Sequence, residues 1–271
     1  MKLFPTPLLL LFCCMTPHLH SEEKTTPTNV LFIISDDLTA TALSCYGNTV
    51  CTTPNIDRIA REGTLFTRAY CQATFCGPSR ASFMTGYYPQ ATGLYGYGPC
   101  RNAIGPHRAT WSQHFINNGY EAVRVSKIYH MGVPGGIEKG TDGSDDPASW
   151  TRKFNSQGPE WRAPGTGETL ERNPEGKRPV VGGNTFVVVE ADGDDLVHSD
   201  GRTAEKAVAL IEEFDEKPFF LAVGFVRPHV PFVAPRSYYT DFLPYDRMVL
   251  PEKVPNDQAD MPRLGINYKT S

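Results

Sequence analysis

Apolar runs that alternate with helix-forming segments constrain the fold of this chain most. Residues 29–35 (NVLFIIS) form a nearly continuous apolar run rich in β-branched residues, which predicts a strand buried on both faces. The pattern predicts further strands at 65–70, 120–125 and 219–225. It predicts helices, bounded by proline or glycine in most cases, at 53–63, 78–86, 109–119 and 203–214. This alternation predicts an α/β layered domain with a largely parallel sheet.

Two regions lack the alternation. Residues 132–177 are rich in Gly, Pro, Ser and Asp and have no periodicity, which predicts a long surface excursion that helps to shape a binding site. The last thirty residues are polar and dotted with proline, and they contain no closing element. We therefore expect residues 22–271 to be the N-terminal portion of a longer catalytic domain.

The N-terminus has the pattern of a secretory signal. Lys2 precedes an apolar run at 8–15, and a polar stretch follows at 18–24. The run is shorter than the roughly 20 apolar residues of a membrane-spanning helix, and a buried N-terminal strand is the alternative. We predict a signal peptide at 1–21 and export of the protein, which would be secreted, periplasmic or lysosomal.

Composition and charge exclude some partners. The chain has 271 residues, 40% hydrophobic and 21% charged, which is typical of one large globular domain or at most two. The formal net charge of −4 gives no sign of nucleic-acid binding. Any recognition of an anionic substrate must therefore depend on local cations.

The cysteine count singles out one thiol. Cleavage after residue 21 would leave five cysteines, and an odd number in an exported protein indicates one cysteine with a separate role. The other four could form up to two disulfides or remain free and buried. The five are Cys45, Cys51, Cys71, Cys76 and Cys100.

The strongest motif begins at Cys76. Residues 76–80 (CGPSR) and 84–86 (MTG) fit the pattern C-x-P-S-R-x-x-x-(Leu or Met)-T-G, which resembles the signature of the sulfatase family. The resemblance implies that a formylglycine-generating enzyme oxidises Cys76 to formylglycine, an aldehyde that hydrates to a diol. A structural cysteine before a proline-started helix is the alternative.

The diol suits the chemistry that the resemblance implies. One of its oxygens, ionised beside a metal, can attack sulfur and form a covalent intermediate. The second hydroxyl can then lose its proton, regenerate the aldehyde and expel sulfate. An ordinary serine would have to be released by attack of water.

Asp36 and Asp37 follow the first predicted strand directly. Adjacent carboxylates at the end of a buried strand offer the hard oxygen ligands that Ca²⁺ or Mg²⁺ prefers. A solvated Asp-Asp turn is the alternative. The resemblance implies that this pair, together with Cys76, binds one Ca²⁺ per site.

The resemblance also implies roles for four basic residues. Lys127 would neutralise the sulfate oxygens, and His130 would hydrogen-bond a diol hydroxyl and act as the base for elimination. His229, which lies between two prolines, would protonate the departing alcohol, with a buried structural histidine as the alternative. Arg80 is expected to be a cation that stabilises the diol without contacting the substrate.

The resemblance covers 29–263, and several flanks resemble iduronate-2-sulfatases and their bacterial relatives in particular: 45–47, 53–57, 127–130 and 217–232. It implies an alkaline-phosphatase-like α/β fold whose central, mostly parallel sheet is flanked by helices. The family's second metal pair and a later lysine would lie beyond residue 271, so the C-terminal part of the fold is expected to be missing and the activity of the chain alone is in doubt.

The implied function is a sulfuric ester hydrolase that acts on a sulfated sugar, for example in glycosaminoglycan degradation. No membrane span and no nucleic-acid partner are expected. Two other functions remain open: a phosphomonoester or phosphonate hydrolase of the same superfamily, and an inactive sulfatase-like protein that binds carbohydrate.

Overall fold

The computed structural model describes residues 27–160, 162–169, 187–215, 217–242, 252 and 254–263. The predicted signal peptide and residues 170–177 of the predicted excursion lie outside the described residues. The strands are β1 (Val30–Ser35), β2 (Glu121–Ser126), β3 (Arg152–Phe154), β4 (Gly165–Thr169), β5 (Val187–Ala191), β6 (Phe219–Phe225) and β7 (Phe232–Pro235).

The helices are α1 (Pro54–Glu62), α2 (Cys76–Thr85), α3 (Pro89–Thr92), α4 (Cys100–Ile104), α5 (Trp111–Asn117), α6 (Gly135–Lys139) and α7 (Ser199–Glu213). Short 3₁₀ turns occur at Ala40–Ala42, Ser44–Tyr46, Pro147–Ser149, Asp195–Val197, Arg236–Tyr238 and Thr240–Phe242.

The main sheet has the strand order β1-β6-β2-β3, and all of its neighbours are parallel. Val223 of β6 lies opposite Ile33 of β1 on one side and Val125 of β2 on the other. A second sheet has the order β4-β5-β7, in which β4 and β5 are antiparallel and β5 and β7 are parallel. The predicted α/β class with a mostly parallel sheet is confirmed.

Helices pack on both faces of the main sheet. On one face, Phe220 and Ala122 pack with Met84 of α2 and Trp111 of α5. On the other face, α7 packs against the sheet through residues such as Leu210, which is fully buried. Because β6 and β2 are covered on both sides, they fix the position of every loop that leaves their carboxyl ends.

The prediction that β1 is buried on both faces is wrong. Leu31 and Ile33 remain 47% and 52% exposed, whereas Phe32 and Ile34, which alternate with them, pack on the core. The reason is that β1 is the edge strand of the described sheet. Its second face has no covering helix among the residues that the structure describes.

The predicted strand at 65–70 is also wrong. This segment has no regular structure, and Phe66 and Tyr70 are 69% and 79% exposed. β-propensity alone did not form a strand, since no neighbouring strand pairs with this segment in the described part of the chain.

The prediction of a surface excursion at 132–177 is wrong for much of its described part. It contains α6, β3 and β4, and it buries Ile137, Asp146 and Trp150. β3 extends the main sheet by pairing with β2. Nearby, the buried Arg124 of β2 binds the carboxylate of Asp145 at 3.2 Å. Elements this short are below the length at which sequence periodicity is informative.

The cysteines form no disulfide in the described part of the chain. Cys45, Cys51, Cys71, Cys76 and Cys100 are all free thiols, and Cys100 is buried. In those same residues, no helix combines the length and apolar character needed to cross a membrane.

Candidate active site

The predicted site residues converge on one edge of the main sheet. Asp36 and Asp37 follow β1, Lys127 and His130 follow β2, and His229 follows β6. These strands are parallel, so their carboxyl ends meet at the same edge, where α/β proteins usually bind ligands. Helix α2 brings Cys76 and Arg80 to that edge. The structure therefore brings together side chains that lie almost two hundred residues apart in sequence.

Cys76 is the first residue of α2 and is half-buried. Its Sγ lies 3.2 Å from Nδ1 of His130 and 3.9 Å from the hydroxyl oxygen of Tyr97. Tyr97 stacks on the His130 ring with 3.8 Å between ring centroids. The next residue, Gly77, has no room for a side chain, because a Cβ would lie 2.5 Å from the carbonyl oxygen of Gly96.

His130 is held in its neutral form. Burial lowers its pKa to about 4, and the positive charges of Lys127 and Arg80 act in the same direction. A neutral imidazole next to the Cys76 side chain can accept a proton from it, which is what a general base requires.

Asp36 lies at the bottom of the site between two cations. It is 4% exposed, its Oδ1 accepts a 2.6 Å hydrogen bond from Arg80, and its Oδ2 pairs with the ammonium of Lys127. Although burial acts to raise the pKa of Asp36, the charges of Arg80 and Lys127 keep it below its ordinary value. Burial lowers the pKa of Lys127, which is fully buried, and Asp36 opposes that shift.

Arg80 joins α2 to the end of β2. Its Nη1 donates to the carbonyl oxygens of Lys127 at 2.6 Å and Ile128 at 2.8 Å, while its Nη2 binds Asp36. Its donors are used in this way and only 3% of its surface is exposed, so Arg80 lies in the interior of the fold. Its guanidinium therefore holds Asp36 and the backbone at the end of β2 together on the interior side of the site.

His229 faces Asp37 on the outer side of the site. Its Nδ1 donates a 2.5 Å hydrogen bond to the carbonyl oxygen of Val230, which leaves Nε2 directed to the Asp37 carboxylate at 3.7 Å. Asp37 has a positive φ of 61°, and its side chain is 57% exposed. Asp37 is therefore accessible, whereas the side chain of His229 is only 12% exposed and Asp36 and Lys127 are buried.

The donor chemistry suits a hard divalent cation but is incomplete. A cavity of about 470 Å³ is lined by Asp36, Asp37, Cys76 and Arg80, among others. The two carboxylates supply only part of the six to eight oxygens that Ca²⁺ takes. Within the described ranges, no group of three or more His, Cys, Asp or Glu residues is placed to hold a metal ion.

No sequence pattern indicates Tyr97 as a site residue. It lies in a glycine-rich segment between α3 and α4, where no pattern distinguishes one tyrosine from its neighbours. Burial and the neighbouring Cys76 raise the pKa of Tyr97 to about 12, so its hydroxyl keeps its proton at neutral pH. The contact between Tyr97 and Cys76 forms because α2 places Gly77 against the backbone of Gly96.

The fold defines the class of architecture, which is an α/β fold of the alkaline-phosphatase-like type. Two solved structures share it. A protein in complex with D-glucosamine-2-N,6-O-disulfate aligns with a TM-score of 0.55 and 20% identity over 83% of this chain and 39% of its own. The phosphonate monoester hydrolase of Agrobacterium radiobacter aligns with a TM-score of 0.57 and 22% identity over 81% and 45%. At these identities the likeness bears on the fold.

Sequence comparison then gives the family. The sulfatase family profile matches residues 28–248, and the chain belongs to the sulfatase family. It is 36% identical to human iduronate 2-sulfatase over 221 residues, which are 80% of this chain and 38% of that relative. It is 31% identical to a sulfatase of Formosa agariphila over 270 residues, 95% of this chain and 51% of that relative. The chain thus spans about two fifths to one half of the length of these relatives.

Proposed function

We propose that the protein to which this chain belongs hydrolyses a sulfate ester of a sulfated sugar, with a nucleophile made from Cys76. The observation that carries the proposal is the placement of Cys76 at the start of α2, 3.2 Å from a neutral His130 and in one cavity with Asp36 and Asp37. Membership of the sulfatase family and the likeness to iduronate 2-sulfatase support sulfate and a sugar as the substrate class.

Each of the predicted catalytic residues has a role in this reaction. The hydrate of an oxidised Cys76 would supply the attacking hydroxyl, and a divalent cation such as Ca²⁺, held in part by Asp36 and Asp37, would favour its ionised form. His130 takes the proton that must leave during release of sulfate. Lys127 and Arg80 supply positive charge beneath the anionic sulfate. His229 gives a proton to the departing alcohol through Nε2, the ring nitrogen directed to Asp37.

Two partners and a location follow from the proposal. A formylglycine-generating enzyme must oxidise Cys76, and Asp36 with Asp37 would hold part of the Ca²⁺ coordination sphere. The signal-like N-terminus supports export to a secreted, periplasmic or lysosomal location.

Mass spectrometry of the peptide that contains Cys76, from the protein made in its native host, tests the nucleophile. We expect sulfur and two hydrogens to be replaced by one oxygen. An unmodified thiol in protein that still hydrolyses sulfate esters would refute the proposed nucleophile, and an unmodified thiol without activity would favour a noncatalytic carbohydrate-binding protein.

Parallel assays with aryl sulfate, aryl phosphate and aryl phosphonate test the substrate class. We expect the sulfate to be turned over fastest. The likeness of fold to a phosphonate monoester hydrolase makes that reaction the second candidate. Faster turnover of the phosphonate would favour it over the sulfatase reaction.

A further inference from the structure

Arg227 holds the loop at 226–231, which carries His229, through hydrogen bonds to its backbone. Its Nη1 donates to two backbone carbonyl oxygens of this loop, that of His229 at 2.6 Å and that of Pro231 at 2.7 Å. Both acceptors lie in the second half of the loop between β6 and β7, on either side of Val230. The guanidinium therefore fixes the backbone on both sides of Val230, the residue whose carbonyl accepts the hydrogen bond from Nδ1 of His229.

Glu160 holds the other side of the same guanidinium. Its Oε2 pairs closely with Nη2 of Arg227, and its side chain is 1% exposed, while that of Arg227 is 21% exposed. Burial raises the pKa of the Glu160 carboxyl, and the Arg227 guanidinium opposes that rise. Each charge therefore depends on the other for its stability inside the fold.

The backbone before the loop is fixed independently. Asp200 of α7 accepts hydrogen bonds from the backbone N–H groups of Val226 and Arg227, both at 2.8 Å. The hydroxyl of Ser35 donates to the carbonyl oxygen of Arg227 at 2.5 Å. The entry to the loop is thus held by the backbone of Arg227, whereas the loop itself is held by the side chain of Arg227.

We propose that the Glu160–Arg227 pair positions His229 for proton transfer to the leaving group. Neither residue lines the cavity that contains Cys76; both line a separate cavity of about 320 Å³. They act through His229. Without the Glu160 charge, the guanidinium keeps only neutral acceptors and can turn to solvent through its exposed side, and both carbonyl contacts are then lost.

The proposal rests on the proposed sulfatase reaction, and a double-mutant cycle in the protein from its native host tests it. Glu160→Gln should lower kcat about tenfold, because misplacement of a reacting group by a fraction of an ångström is costly, with KM nearly unchanged. In a His229→Ala background the same change should have no further effect on kcat. Additive losses would mean that Glu160 does not act through His229.

The dependence of the turnover rate on the acidity of the leaving alcohol is a second test of the positioning role. Sulfate esters of weakly acidic alcohols need protonation of the leaving oxygen more than nitrophenyl sulfates do. Glu160→Gln should therefore slow the former more than the latter, as His229→Ala does. An equal loss for all substrates would overturn the proposal.

A matched control and chemical rescue separate this role from general damage. Glu213→Gln breaks the exposed pair of Glu213 with Arg152, on a different part of the molecule, and should leave the leaving-group dependence unchanged. Glu160→Ala opens space beside the 320 Å³ cavity, so added formate should restore part of kcat, whereas chloride at equal ionic strength should not. Failure of formate together with an additive cycle would refute the positioning role.

Hydrogen exchange keeps the test independent of turnover. The backbone amides of His229 and Phe232 should exchange faster in Glu160→Gln than in the parent, with no such change in Glu213→Gln. If the parent hydrolyses no sulfate ester, the proposed function fails. Unchanged exchange would show that the pair does not hold the loop, whatever the activity.

Discussion

At the scale of single residues, the site is organised around one buried carboxylate. Asp36 binds Arg80 and Lys127, and all three side chains are at most 4% exposed. One carboxylate between two cations leaves a net charge of +1, so loss of Asp36 would leave two buried cations without a counter-charge.

Replacement of Asp36 tests this compensation. Asp36→Asn should lower the free energy of unfolding by about 3 kcal/mol, because it leaves Arg80 and Lys127 buried without a counter-charge. Lys153→Met, which removes a 37% exposed lysine paired with Asp142, should cost less than about 1 kcal/mol. Urea denaturation measures both. Equal costs would mean that the Asp36 pair is solvated in solution.

Replacement of Cys76 tests the nucleophile. Cys76→Ser should abolish repeated turnover, by at least about a hundredfold, because a serine ester of sulfate has no second hydroxyl to expel it. Steady-state assays with an aryl sulfate, in protein carrying the natural modification, give the comparison. Sustained turnover by the serine variant at the parent rate would contradict the proposed chemistry.

The neutral form of His130 predicts a pH dependence of stability. The folded imidazole has a pKa of about 4, below the ordinary value of about 6.5 that the unfolded chain retains. The unfolded state therefore takes up a proton first as pH falls, and stability is lost between pH of about 6.5 and 4. His130→Gln should lose less stability over this interval. Parallel curves from urea denaturation of the two proteins would refute the shift.

At the scale of elements, parallel strands set the distances within the site. β6 lies between β1 and β2, and Gly224 near its end faces the carbonyl oxygen of Lys127 so closely that a Cβ would lie 2.1 Å from it. This approach lets the chain turn directly from β2 into the segment that carries Lys127 and His130. The close packing of Gly224 thus sets the backbone position of the segment that carries the predicted catalytic residues Lys127 and His130.

Gly224→Ala should therefore disturb both stability and site. The added methyl group must displace the backbone at Lys127, at a cost of about 3 kcal/mol, and activity should fall. Gly135→Ala, at a position where a Cβ meets nothing within 4 Å, is the matched control and should be nearly neutral. Thermal denaturation compares the stability of the two variants, and an aryl sulfatase assay compares their activity. A neutral Gly224→Ala would contradict the close approach.

At the scale of the whole molecule, the main sheet is covered unevenly. Leu221 of β6 is fully buried, whereas Leu31, its register partner on β1, is 47% exposed. The described part of the chain therefore has its core under β6 and β2 and an apolar outer face on β1.

Two alanine substitutions measure this asymmetry in the 271-residue chain. Leu221→Ala should cost about 3 kcal/mol through lost burial and a residual cavity, and Leu31→Ala no more than about 1 kcal/mol. Denaturant unfolding of both variants gives the ratio. Similar costs would indicate that the outer face of β1 is covered in solution.

The sequence predicted the parts of this molecule that depend on local pattern. Apolar runs predicted β1, β2 and β6, and the motif at 76–86 together with strand ends indicated the residues that converge at the sheet edge. Tyr97, Glu160 and Arg227 were not found, because their contacts depend on how distant segments pack. Exposure of Leu31 was missed for a related reason: a strand's sequence does not tell on which side its neighbours lie.

The tight packing around Cys76 has a consequence for the order of events in biosynthesis. Gly77, Pro78 and Arg80 are buried directly after it, and Gly77 lies against the backbone of Gly96. An enzyme that must grip the chain on both sides of this cysteine can do so only while the segment is still extended. The proposed oxidation of Cys76 would therefore have to be complete before α2 docks, because a molecule that folds first would be closed to the modifying enzyme.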